Sequence, residues 1–245
     1  MRTILIFIYL IIYYIISLPL FVVGWLLGLK DPDLKHRFAQ KWVCFGFRSL
    51  LFIGGIKVTV LGKENILDGQ AALYVFNHRS FFDIIVGYVT GPSLNLFVAK
   101  DSLAHIPLIS RWMRYMHCLF LDRKDIKKGM QTIKDGIELL KTGHSVFIAP
   151  EGTRSKTKKM LPFKAGSFRL ADKSGCPIVP VAMNNMDECF ENHLPWVKRT
   201  HVVIEYLEPI DMDGMEKSEK KKIGDLIHDI IEKKVEENEE KYLNT

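Results

Sequence analysis

The stretch Ala71 to Asp83, AALYVFNHRSFFD, contains a histidine and, five residues on, an aspartate, the pair of side chains that general base chemistry uses. A neutral imidazole accepts a proton through one ring nitrogen while a carboxylate holds the N–H of the other. On one continuous helix, positions five apart point away from each other, because each residue advances by about 100°. His78 and Asp83 therefore meet only if His78 lies in a turn that folds back over a helix start. Ala72 to Phe76 are apolar and suit a buried strand, and Ser80 with Asp83 three residues later is a capping box. The segment reads as strand, turn, helix, with His78 in the turn. A plainer reading stands beside it: a carboxylate at that position caps backbone donors, and a single turn histidine is polar surface.

A second group follows the apolar run Ser145 to Ala149. In Pro150-Glu151-Gly152-Thr153-Arg154-Ser155, a glycine at a strand end lets backbone approach a ligand closely. Arg154 adds a planar fork of donors suited to phosphate. Lys156, Lys158, Lys159 and Lys164 either add field for an anion or keep the loop solvated. Arg123 ends the apolar run Leu119 to Leu121, as a salt-bridged terminus or as a further anion ligand.

These groups need a scaffold. Candidate strands are Lys57–Leu61, Ala72–Phe76, Leu96–Ala99, Cys118–Leu121, Ser145–Ala149, Ile178–Ala182 and Val202–Tyr206. Helical patterns cover Ser80–Val89, Leu108–Met116, Lys124–Lys141 and Phe163–Ser174, and an amphipathic helix covers Met215–Leu243. This alternation predicts an α/β domain, a central mixed, largely parallel sheet covered by helices, with ligands at the strand ends.

An N-terminal two-helix membrane motif precedes it. No residue from Thr3 to Leu29 is charged, and the run is longer than a signal-peptide core and lacks a small-residue cleavage site. Pro19 is expected to divide the run into pieces shorter than the ~20 residues that cross a bilayer. A kinked span and a pair of helices embedded from one face both remain open, and the second is favoured. Asp31-Pro32 starts another helix, which continues to Gly54-Gly55 and carries Leu34, Phe38, Trp42, Phe45 and Phe52 on one stripe. Basic residues after the first helix favour a catalytic domain on the cytoplasmic face of the inner membrane. The expected units are an anchor over 1–54 and the α/β domain over 55–245.

Composition bounds the rest. The 245 residues carry a net charge of +6 and a pI near 9.0, which fits nucleic acid, anionic lipid or phosphorylated substrates alike. No basic stripe with stacking aromatics points to nucleic acid. Cys44, Cys118, Cys176 and Cys189 form no CxxC pair, so neither a zinc site nor a disulfide framework is suggested, and the lack of GxSxG, HExxH, Walker and GxGxxG motifs removes the commonest hydrolase, zinc-protease, nucleotide-triphosphatase and dinucleotide readings.

Asn77-His78-Arg79-Ser80-Phe81-Phe82-Asp83 resembles the NHxSxxD block of the glycerolipid acyltransferase family, whose members include bacterial 1-acyl-sn-glycerol-3-phosphate acyltransferases. Leu119 to Arg123, Pro150 to Ser155 and Val179-Pro180-Val181 resemble the second, third and fourth blocks, in family order. The resemblance implies that His78 is the general base and Asp83 its orienting partner. It places Lys100, Arg123, Glu151, Gly152, Thr153 and Arg154 on the substrate, at its phosphate. It implies acyl transfer from a thioester, of acyl carrier protein or coenzyme A, to lysophosphatidate in phospholipid biosynthesis, with no cofactor and no metal. Another lysophospholipid or glycerol 3-phosphate as acceptor, or a membrane-tethered lipid-binding protein without catalysis, are the alternatives. Two positions depart from the pattern: His117 stands where the second block usually begins with glycine, and Ala149 replaces the usual aromatic before Pro150.

Overall fold

The strand runs rich in β-branched and aromatic residues assemble into one sheet in the computed structural model, which describes residues 1–243. Residues 244–245 of the expected 55–245 unit lie outside the described residues. The strands are β1 (Lys57–Leu61), β2 (Leu73–Phe76), β3 (Asn95–Lys100), β4 (Leu119–Leu121), β5 (Ser145–Ile148), β6 (Ile178–Asn184) and β7 (His201–Tyr206), in the order β1-β7-β6-β2-β5-β3-β4. The five from β6 to β4 are parallel, while β7 runs antiparallel to β6 and carries β1 parallel to itself. The sheet is mixed and largely parallel, as the alternation predicts.

Seven helices accompany it among the described residues: α1 (Arg2–Lys30), α2 (Pro32–Gly54), α3 (Phe82–Thr90), α4 (Ile109–Tyr115), α5 (Ile126–Lys141), α6 (Arg169–Ser174) and α7 (Lys217–Tyr242). The expected helix over Phe163–Ser174 resolves into a 3-10 turn, Ala165–Phe168, followed by α6. In register across the sheet, Tyr74 stacks on Phe147 at 4.5 Å and Phe147 on Phe97 at 4.7 Å. Tyr88 of α3 closes on Phe97 at 4.5 Å, and Gly87 permits that approach, since a Cβ there would come within 2.8 Å of the Phe97 ring. This packing fixes the helix that carries Asp83 against the strands at the centre of the sheet.

The N-terminal hairpin corrects one expectation: Pro19 does not divide the apolar run, because α1 is a single helix through it. Proline deprives a helix of one hydrogen bond, and packing along the whole length makes up that loss. Tyr13 stacks on Trp42 of α2 at 4.9 Å and donates to the Trp42 carbonyl, while Trp42 Nε1 donates to Ser17 Oγ at 2.9 Å. Gly46 admits the Tyr13 ring where a Cβ would come within 2.6 Å of it. The helix, about 43 Å long, is long and apolar enough to cross a membrane by length and composition.

Both ends of this hairpin touch the α/β domain. Near its start, Thr3 Oγ1 accepts from Val197 N–H at 2.9 Å, and farther along Phe21 packs on Trp112 and its carbonyl accepts from Tyr115. The face of α2 turned to the domain is mixed: Ala39, Val43, Cys44 and Leu51 are buried in the core together with His36 and Gln40, and Gln40 is bonded to Pro92 O and Leu94 N–H. Phe45 and Phe52 from the apolar stripe point outward with Ile4, Phe7, Ile11, Ile15, Leu18, Val22 and Trp25.

Candidate active site

In a parallel sheet the loops at the carboxyl ends of the strands share one edge. The turn after β2 carries His78, that after β5 carries Glu151 to Arg154, β3 ends at Lys100, and Arg123 follows β4. The topology thus gathers every residue expected at the site on one edge, although Lys100, Arg123 and Thr153 are exposed and make no hydrogen bond through their side chains among the described residues.

His78 sits in the turn, as its spacing requires. Its Nδ1 is 2.7 Å from Asp83 Oδ2, the same oxygen that accepts from the backbone N–H groups of Arg79 and Ser80 at 2.8 Å each. Asp83 is 1% exposed, so its carboxylate is fixed by three donors rather than by water. Ser80 Oγ in turn accepts from Phe82 N–H, so the expected box is incomplete, the cap position of α3 being Phe81, while the Asp83 carboxylate serves the backbone donors and the imidazole together. A carboxylate at Nδ1 leaves the proton on that nitrogen and presents Nε2 as the acceptor. No hydrogen bond engages Nε2 among the described residues, and the His78 side chain is 21% exposed.

The third block holds the backbone of His78 from both sides. Glu151 Oε1 accepts from His78 N–H at 2.7 Å, Glu151 Oε2 accepts from Leu161 N–H at 2.8 Å, and Ser155 N–H donates to the His78 carbonyl. Burial raises the pKa of Glu151 above the usual carboxylate value, and the two backbone donors work against that rise. With a backbone donor on each oxygen, the Glu151 carboxylate braces the turn that carries His78. Gly152 has φ +77°, and Lys164 lies so close over it that a Cβ would come within 2.7 Å of the Lys164 Nζ.

Arg154 lies beside the helix start. Its guanidinium stacks over the Phe81 ring at 4.1 Å and donates to Glu191 Oε1 at 2.9 Å. Glu191 accepts from Phe81 N–H and Ser80 Oγ as well, so one carboxylate ties the third block to the first turn of α3. Sequence reasoning missed Glu191, Asn77 and Asp187. Asn77 exchanges two hydrogen bonds with the Met183 backbone and locks the turn to β6, and Asp187 pairs with Arg79. Asn77 could have been singled out as a buried amide beside the histidine. Glu191 and Asp187 act across more than a hundred residues and carry no local pattern.

Among the described residues two other clusters offer metal-ligating groups, and neither includes the His78 pair: His36, His117 and His144 lie together, as do His228, Asp229 and Glu232 on the surface of α7. The three histidines come from distant parts of the chain with no motif spacing, so sequence reading did not join them.

The largely parallel α/β sheet thus carries a histidine–aspartate pair at its carboxyl edge and an apolar hairpin along its flank. The model of the Acyltransferase family matches residues 57–184, and this chain belongs to that family. It is 31% identical over 209 residues to 1-acyl-sn-glycerol-3-phosphate acyltransferase of Saccharomyces cerevisiae, covering 82% of this chain and 67% of that one. The enzyme of the same description from Borreliella burgdorferi is 30% identical over 186 residues, 76% of this chain and 74% of that one. The crystal structure of the 1-acyl-sn-glycerophosphate (LPA) acyltransferase PlsC from Thermotoga maritima superposes with a TM-score of 0.77 over 99% of both chains at 24% identity, a likeness of fold that includes the N-terminal hairpin.

Proposed function

We propose that this protein transfers a fatty acyl chain from an acyl thioester to the free hydroxyl of 1-acylglycerol-3-phosphate, giving phosphatidate for phospholipid synthesis. The observation that carries the reading is the buried Asp83 carboxylate 2.7 Å from His78 Nδ1, with no hydrogen-bond partner on Nε2 among the described residues. As the acceptor oxygen attacks the thioester carbonyl, His78 Nε2 takes the hydroxyl proton and Asp83 stabilises the resulting imidazolium. Collapse of the tetrahedral intermediate breaks the C–S bond, and the imidazolium proton passes to the departing sulfur. The products are ester and free thiol, and no acyl-enzyme forms.

The N-terminus of α3 points at this edge, and its dipole favours both the Asp83 anion and the developing oxyanion. Arg154, Arg123 and Lys100 are the cations available to the acceptor phosphate, with Gly152 and Thr153 shaping its approach and Glu151 and Glu191 holding the loops. Coenzyme A or acyl carrier protein supplies the thioester.

The apolar α1 and the basic residues that follow it support a catalytic domain on the cytoplasmic face of the inner membrane. Because both of its ends return to the domain, α1 lies along the domain with its outer apolar face in one leaflet, so the acceptor reaches His78 without leaving the bilayer. An Arg2→Cys variant stays unlabelled by impermeant reagents applied outside intact cells; labelling there refutes the one-leaflet placement.

The test of the activity is a matrix of thioester donors and acceptors assayed by mass spectrometry on purified protein. Thioester-dependent conversion of lysophosphatidate to phosphatidate, faster than that of glycerol 3-phosphate or other lysophospholipids, is expected. Faster acylation of another acceptor moves the assignment to it, and no thioester-dependent consumption refutes catalysis.

A further inference from the structure

We propose that His36, His117 and His144 bind one divalent transition-metal ion, zinc by preference, which clips the N-terminal hairpin to the edge of the sheet opposite the dyad. The three rings come from separate elements. His36 lies in α2, His117 in the turn between α4 and β4, and His144 in the turn between α5 and β5. Their centroids form a nearly equilateral triangle with sides of 5.5, 5.3 and 5.3 Å. Three imidazoles bound to zinc through nitrogens at ~2.05 Å, in tetrahedral directions, would place their centroids ~5.2 Å apart. One ring nitrogen of each lies within 4.8 Å of the other two, a spread that side-chain torsions must close to ~3.4 Å around zinc.

Unpartnered nitrogens point to an occupant. His36 is fully buried, and its Nε2 is 3.1 Å from the Asn95 carbonyl while Nδ1 has no partner. A backbone carbonyl behind one nitrogen, with the other left bare, is how proteins orient a metal-bound histidine. His144 is 4% exposed, and its Nε2 makes no hydrogen bond although Asp33 Oδ1 is 3.3 Å away. That carboxylate, or a water, offers the fourth ligand. Burial shifts all three imidazoles below the usual histidine value, in the direction of the neutral form that ligates.

Backbone conformation at His117 adds an independent argument. Cys118 N–H donates to Met113 O and His117 N–H to Arg114 O, the Schellman arrangement, with His117 at the position after the cap and φ +56°. Glycine is the residue that takes this conformation without strain. The corresponding position after α5 is Gly143, φ +94°, and His144 follows it in the same kind of turn. His117 therefore carries an imidazole to this point in a backbone conformation that glycine takes more easily. Two helix carboxyl ends also converge here, and their partial negative charge favours a cation.

The test uses full-length protein, purified in detergent without a polyhistidine tag, loaded with zinc and then dialysed. Elemental analysis is expected to give about one zinc per chain, and chelator to lower the thermal midpoint reversibly. His117→Gly relieves the backbone strain, so it folds, and is expected to retain only a small fraction of the zinc and to show no response of its midpoint to zinc or chelator. His144→Gln, which keeps a similar volume, should behave in the same way. Wild-type protein that stays metal-free after loading, or variants that keep the wild-type zinc content, overturn the proposal.

Discussion

Histidine occupies both edges of the same sheet, and what surrounds it differs at each. At the carboxyl edge His78 has one nitrogen held by a buried carboxylate and the other without a hydrogen-bond partner among the described residues, in a partly exposed side chain. At the amino edge His36 is sealed, with one nitrogen on a carbonyl, the other without a partner, and two more imidazoles beside the ring. The difference follows from the direction of the chain. Helix α3 begins at the carboxyl edge, bringing free backbone N–H groups and a positive dipole end that suit anions. Helices α4 and α5 finish at the amino edge, where tight turns reverse the chain into β4 and β5. One edge is built to react and the other to be held.

Substitutions that blur this contrast rank by how much of each edge they remove. Asp83→Ala is expected to be the most damaging among the supporting residues, because it leaves Nδ1 without its acceptor and strands two backbone N–H groups. Steady-state turnover should fall on the order of 10²–10⁴-fold, and a loss under tenfold would make Asp83 a mere cap. Glu151→Ala strands the N–H groups of His78 and Leu161, so turnover and thermal stability should drop together, by about 1–3 kcal/mol in unfolding free energy. Loss of turnover with unchanged stability would contradict a bracing role.

Arg154→Lys keeps the charge and loses the fork, so Glu191 and the acceptor phosphate cannot both be held. A rise in KM for the phosphorylated acceptor of about tenfold is expected, with little change for an uncharged monoacylglycerol. Equal losses on both acceptors would make the arginine structural. At the amino edge, metal-free His117→Gly should gain about 1 kcal/mol in chemical denaturation by relieving φ +56°, with the least effect on turnover of the series. A destabilised variant would mean that the imidazole contributes without metal.

Much of the carboxyl edge is legible in the sequence because its signals are local. The apolar run before His78, the Ser80–Asp83 box and the glycine after β5 are each set by residues within one turn, and all seven strands lie close to where the pattern puts them. Long-range partners carry no such signal. Glu191 lies 111 positions from Ser80 and joins it only once β6 has placed the following loop. Pro19 reads as a break, and only the packing of Tyr13, Ser17 and Trp42 makes one helix of the run. The amino-edge histidines illustrate the same limit: each looks like an isolated residue until three turns meet.

Turnover of His78→Ala, measured with saturating thioester and lysophosphatidate alongside acceptor binding by equilibrium titration, tests the account most directly. A fall on the order of 10²–10⁴-fold in turnover with acceptor affinity nearly unchanged is expected, since the imidazole acts on the proton and not on the phosphate. Turnover within a few-fold of wild type would contradict it.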